Sequence, residues 1–313
     1  MAATDPIPRS LDAFQGDQTY LGADHRRNER RTWIVAAICA VTLVALVSGG
    51  LAFRSMALTA SGLHMAAHVA ALLTAAAAYR LARRHARNPR FSWGAGKVGY
   101  LAGFANAMVM GMTAVLIAVE AAHRVFAPQA VAYASALPLA AGGLAVNLIC
   151  MALLRPASDT PSDRDGDLNL SAAHLHLSAD AAVSALAIAG LAAGAYLGWA
   201  WTDPVAGLVG AALVAQFAVK LVRRAAAPLL DINPSPELTA EVRSRLQAEG
   251  ETIVDLHLWR LGPGHHAAVV VIAADHPLSP DAYRARLDGL DGLSHVTVEV
   301  RESGATHHHG HVH

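Results

Sequence analysis

The chain has 313 residues, 54% of them apolar and only 15% charged, with a formal net charge of zero at pH 7. An ordinary soluble domain carries about 25% charge, so this balance, with a mean hydropathy of +0.35, excludes a water-soluble enzyme. Disorder is excluded as well, because it goes with low hydrophobicity and high net charge.

Residues 1–32 are polar and carry both signs of charge before any apolar run begins, the opposite of a signal peptide. Six apolar runs follow, at about 33–53, 56–80, 98–120, 131–154, 172–199 and 202–222. Each is long enough for a membrane-spanning helix of roughly 20 residues. Their Ala, Gly and Leu content suits close helix packing in lipid. The two cysteines, Cys39 and Cys150, lie far apart in two of these runs. By themselves they predict neither a disulfide framework nor a thiolate metal cage, and a reducing compartment is allowed.

Arg9, Arg26, Arg27, Arg30 and Arg31 precede the first run, and Arg80, Arg83, Arg84, Arg87, Arg90 and Lys97 lie between the second and third. The opposite links hold only Arg54 and Arg124, while Lys220, Arg223 and Arg224 mark the end of the sixth run. Positive residues stay on the cytoplasmic side, which predicts cytoplasmic N- and C-termini. The domain reading is a cytoplasmic segment at 1–32, a six-helix transmembrane domain at 33–224, a cytoplasmic domain at 234–302 and a His-rich tail at 303–313.

Within that last domain, Asn233-Pro234-Ser235-Pro236 is a stop-and-restart signal, followed by an amphipathic helix over 237–249. Strands at 252–261 and 267–274 flank a turn at Gly262-Pro263-Gly264, and a helix at 280–290 and a strand at 294–302 complete an α-β-β-α-β unit. About 70 residues make a marginal core, so pairing with a second copy is expected.

Ionisable groups deep in lipid are costly and mark function by default. Asp180 is the only acid deep inside any run; Glu120 and Asp203 lie at run ends. His176 precedes Asp180 by four residues, which puts both on one helix face, and His64 and His68 repeat the spacing on the second run. Three imidazoles and one carboxylate would suit a tetrahedral divalent transition metal. The alternative for each histidine is a hydrogen bond to a neighbouring helix. His174 points about 200° away from His176 around the helix and reads as packing or interfacial.

The string Ser55-Met56-Ala57-Leu58 leading into His64-Met65-Ala66-Ala67-His68, with Ala173-His174-Leu175-His176-Leu177-Ser178-Ala179-Asp180, resembles the cation diffusion facilitator family of metal exporters. So do Asn88-Pro89-Arg90-Phe91-Ser92-Trp93-Gly94, Gly96-Lys97-Val98-Gly99 and Asp255-Leu256-His257-Leu258-Trp259, and the likeness runs from about Leu21 to Glu302. It looks most like the cobalt- and nickel-exporting branch, in which helix two carries His-x-x-x-His as at His64 and His68, whereas zinc-type relatives usually place an Asp at the second of these positions or at both.

The resemblance implies a homodimer, six helices per subunit with a ferredoxin-like cytoplasmic domain, and metal efflux driven by inward proton flow. It implies His64, His68, His176 and Asp180 as transport ligands. The sequence departs from the family at Ser61 and Tyr100, where acids are frequent, and its first helix lacks the frequent acid.

Imidazole binds metal only when neutral, and its ordinary pKa of about 6.5 couples metal binding to proton release. Three neutral histidines, a carboxylate and a dication sum to a charge of +1, as does the empty site with two protons. The expected cargo is Co²⁺ or Ni²⁺, with Zn²⁺ as runner-up, because the donor set suits all three. No catalytic cofactor is expected. The partners are metal ions, protons, the lipid bilayer and a second copy, with no nucleic acid.

Accessory ligands are expected at His257, His265, His266 and Glu299 in the cytoplasmic domain, and at His307, His308, His309, His311 and His313 in the tail. Surface exposure is the plain alternative for the former group, and a functionless tail for the latter. His85 and His123, at helix ends, read as solvated anchors. A membrane metalloprotease would need a general base, as in His-Glu-x-x-His, but Met65, Ala66 and Ala67 separate His64 from His68. A non-transporting metal sensor is the other rival, and uptake into inverted vesicles separates it from an exporter.

Overall fold

A computed structural model describes residues 20–21, 24–52, 56–127, 133–155, 167–199, 201–233, 235–247 and 250–303; the side chains of residues 49–50, 56–64 and 67 lie outside that description. Six long helices come first: α1 (His25–Ala52), α2 (Met56–Arg84), α3 (Val98–Phe126), α4 (Tyr133–Leu153), α5 (Leu168–Leu197) and α6 (Thr202–Leu229). Among the described residues five of them, all but α2, are long and apolar enough to cross a membrane.

The helices outrun the apolar runs at their polar ends. α1 starts at His25 rather than 33, and α6 ends at Leu229 rather than 222. Helical hydrogen bonding is satisfied within the segment, so it continues past the lipid boundary until a cap or a proline stops it. Asp167 caps α5, accepting from the Leu170 amide at 3.0 Å, and Gly198 ends that helix with φ of 71°.

α3 packs along α6 and α1 along α2, while α5 lies against both α4 and α6. Among the described residues two large buried clusters result, beside a smaller one of Tyr100, Leu168 and Ala225. One holds Val35, Cys39, Met65, Val69, Leu72, Cys150, Leu170, Ala173 and Leu177 from α1, α2, α4 and α5. The other holds Ala107, Met110, Ala172, Ala179, Val214 and Leu221 from α3, α5 and α6. The two cysteines, distant in sequence, meet here with their sulfurs 3.7 Å apart.

The C-terminal domain has α7 (Pro236–Leu246), β1 (Glu251–Gly262), β2 (His265–Ala274), α8 (Pro280–Arg286) and β3 (Leu293–Glu302). Ser235 and Ser279 cap α7 and α8, each followed by a proline in the first turn. The sheet order is β1-β2-β3, with β1 antiparallel and β3 parallel to β2. α8 is the crossover that a parallel neighbour requires. Leu258, Val270, Ile272 and Val298 on one sheet face bury against Val242 and Leu246 of α7 and against Tyr283.

The domain docks on the segment between α2 and α3. Trp93 packs edge-on against Trp259 and His295, with ring centroids 5.2 and 5.1 Å apart. Lys97 pairs with Asp231 beyond the end of α6. Gly96 is needed for the approach: a Cβ there would stand 2.5 Å from the Leu261 carbonyl and 2.7 Å from that of Tyr20.

Candidate metal site

The period of α2 and α5 carries their polar residues to a shared interior face, where three side chains converge. His68 Nδ1 lies 3.1 Å from Asp180 Oδ2, and His176 Nε2 lies 3.3 Å from the same oxygen. The imidazoles meet edge to face with centroids 5.2 Å apart. Among the described residues this is the one group of three or more His, Cys, Asp or Glu side chains able to hold a metal, with ligand atoms within 4.8 Å of one another. His68 is 2% exposed and His176 9%, while the Asp180 side chain is 12% exposed, so the group is largely withdrawn from bulk water.

The spacing has a chemical meaning. Nitrogen and oxygen ligands at 2.0–2.1 Å from a tetrahedral ion stand about 3.3–3.4 Å apart along the tetrahedron's edges. The two contacts to Asp180 fall at or just below that length. A cavity of about 10 Å³ adjoins the group, room for one water-sized sphere, lined by His68, His176, Asn106, Ala71, Leu72, Ala173 and Leu177.

α2 also runs through His64, one turn before His68, but the His64 side chain lies outside the described residues. His174 is half-buried on α5 away from the group. Asn106 of α3 was not singled out from sequence. It lines the cavity and donates to the Ala71 carbonyl at 3.3 Å. An amide inside an otherwise apolar run was the signal that could have found it.

A polar knot at one end of the bundle holds these helices in place. Asp167 Oδ2 accepts from Asn28 Nδ2 at 2.7 Å and from the Tyr79 hydroxyl at 2.6 Å, tying α1 and α2 to the start of α5. Asn169 donates to the Ala75 carbonyl at 2.9 Å, and Arg83 grips Glu29 with two hydrogen bonds of 2.9 and 3.1 Å.

Among the described residues the accessory residues of the C-terminal domain form no metal-holding group, and each has partners of its own. Exposed His257 pairs with Asp255 at 2.9 Å, and Glu299 accepts from Arg301 at 2.8 Å. His265 shares a hydrogen bond of 2.7 Å with Ser294. His266 is buried rather than exposed: its Nδ1 donates to the Gly292 carbonyl at 3.2 Å and its Nε2 accepts from Arg260 at 3.3 Å. Burial, helped by the Arg260 charge, pushes this imidazole down to about 4, so it is neutral at pH 7. His307, His308, His309, His311 and His313 lie outside the described residues.

Comparison with known proteins places this arrangement. The sequence model of the cation efflux transmembrane domain matches residues 32–230, which takes in α1 from residue 32 onward, the other five long helices and the three converging side chains. The chain belongs to the cation diffusion facilitator family. It is 29% identical over 292 residues to the metal cation efflux system protein CzcD of Cupriavidus metallidurans, covering 89% of this chain and 90% of that protein. A zinc transporter, ZitB, of Pectobacterium atrosepticum is 33% identical over 239 residues, covering 75% and 72%. The cadmium, cobalt and zinc/H⁺-K⁺ antiporter of Bacillus subtilis is 25% identical over 297 residues, covering 92% and 94%. This facilitator is thus a membrane protein of metal cation efflux, a helical spanning region followed by a small domain with a three-stranded sheet.

Proposed function

We propose that the protein is a secondary active transporter, not an enzyme, which exports a divalent transition-metal cation from the cytoplasm in exchange for protons. The ion is held by His68, His176 and Asp180, with His64 as fourth ligand. The observation that carries the reading is the convergence of two nitrogens on one carboxylate oxygen at 3.1 and 3.3 Å inside an apolar bundle. The i,i+4 spacing that brings Asp180 to His176 supports His64 as the companion of His68.

Zn²⁺ and Co²⁺ are supported alike. The donors suit both, and relatives carry zinc, cobalt and cadmium in their names. Ni²⁺ rests on the His-x-x-x-His pair alone. Proton coupling follows from the donors, since metal must displace protons from imidazole and an acidic far side returns them.

The remaining parts of the reading are six spans in a bacterial inner membrane, both termini in the cytoplasm, a ferredoxin-like domain and a homodimer. α2, at 29 residues, is long enough to be the sixth span. The Arg-rich α2–α3 segment and the C-terminal domain meet at one end of the bundle, which agrees with the charge rule. The domain boundaries at 32, 224, 234 and 302 and a metal-collecting tail after 303 belong to the same proposal. Removing the tail before His307 is expected to change metal sensitivity without abolishing transport.

The test is uptake of Zn²⁺, Co²⁺ and Ni²⁺ into inverted vesicles under a pH gradient, by wild type and by Asp180→Ala. Gradient-dependent uptake lost in the variant supports export. Binding without movement identifies a sensor, and no proton moved per metal removes the antiport step.

A further inference from the structure

We propose that Cys39 and Cys150 form a two-thiol site for mercuric ion, separate from His68, His176 and Asp180, and that its occupation arrests transport. The sulfurs lie 3.7 Å apart, Cys39 on α1 and Cys150 on α4, with both residues at most 1% exposed. Thiolates select soft ions.

The site's poverty of imidazole and carboxylate ligands defines the ion, since the thioethers of Met65 and Met151 in the same cluster bring no charge. Among the described residues the one group of three or more His, Cys, Asp or Glu lies elsewhere, so no third ligand of that kind joins the sulfurs. Zn²⁺ and its neighbours ask for four ligands, whereas mercuric ion is satisfied by two in a nearly linear arrangement, which the sulfurs, now 3.7 Å apart, reach only as α1 and α4 part to admit the ion. The charge argument agrees. Hg²⁺ and two thiols give a neutral dithiolate and two protons released to the medium. A monovalent soft ion would leave an anion among Val35, Ala36 and Val69, where an unpaired charge is heavily penalised. Mercuric chloride is itself uncharged and so can reach a buried pair, leaving as two chlorides the ligands that the thiolates replace.

The consequence follows from position. The same buried cluster contains Leu72, Ala173 and Leu177, which line the cavity beside His68 and His176. A sulfur–mercury–sulfur bridge ties α1 to α4 across this cluster and holds those walls in one arrangement.

The chain has two cysteines in all, so thiolate-to-mercury charge-transfer absorption reads this pair alone. Full-length protein is titrated with mercuric chloride, and zinc uptake is followed in proteoliposomes. The expected result is saturation at one mercury per chain, at least a tenfold fall in uptake and recovery with a dithiol. Cys39→Ala and Cys150→Ala each lose the one-to-one chelate. The double variant keeps zinc uptake and escapes inhibition, with Val at both positions used where Ala lowers the folded yield. Two mercury ions per chain, one on each thiol, would overturn the site. Equal inhibition of the double variant, or unchanged uptake in mercury-loaded wild type, would overturn the arrest. The absorption titration does not depend on the export reading, so failure of one is distinguishable from failure of the other.

Discussion

Asp180→Asn keeps the volume and one carbonyl oxygen of the side chain but removes its charge. In the native site one carboxylate oxygen serves two imidazoles, at 3.1 Å from His68 and 3.3 Å from His176. It is also the one anion among the three converging side chains. Removing one partner of a buried charged contact costs about 3–5 kcal/mol. At about 1.4 kcal/mol per decade, zinc affinity is expected to fall by two orders of magnitude or more. Calorimetric titration of the full-length protein in nanodiscs measures the affinity, and uptake at saturating zinc measures transport. Thermal unfolding without metal checks that the variant is folded. A folded variant that binds zinc within threefold of wild type would refute the assignment of Asp180 as a ligand.

Gly96→Ala sets a methyl group 2.5 Å from the Leu261 carbonyl, which the backbone can relieve only by moving. Overpacking of this kind costs about 1–3 kcal/mol; the C-terminal domain is expected to loosen, seen as faster protease cleavage beyond residue 233 and altered Trp93–Trp259 fluorescence. Asp167→Ala removes a helix cap and two hydrogen bonds to a carboxylate, an expected loss of about 2–4 kcal/mol in unfolding free energy, with Asp167→Asn retaining part of it. His266 has a folded pKa of about 4, below its unfolded value of about 6.5. The unfolded chain therefore binds the proton first, and the stability this neutral imidazole contributes is complete above about 6.5 and lost as pH falls toward 4. Thermal unfolding of the full chain between those values should show a decline that His266→Asn flattens.

The order of helices and strands was legible in the sequence because each element is dictated locally. Runs such as 98–120 are too long and apolar for anything but a helix, and Asn233-Pro234-Ser235-Pro236 marks where a helix restarts. The pairing of His176 with Asp180 was legible for the same reason, since a spacing of four within one helix requires no knowledge of the rest of the chain. The ends of α1 and α6 were less so: hydropathy reports where lipid stops, and the helix stops elsewhere.

A single segment settles its own length, period and caps and the face on which a polar residue stands. Which faces meet is settled by packing across the whole bundle. Tertiary packing brought His68 of α2 to the pair on α5, set Asn106 of α3 at the cavity and closed the gap between Cys39 and Cys150. It also buried His266 between Gly292 and Arg260. Contacts between residues more than a hundred positions apart depend on how several helices share one interior. Ala and Leu at the interfaces fit many partners, so the chain's own pattern does not specify a unique neighbour.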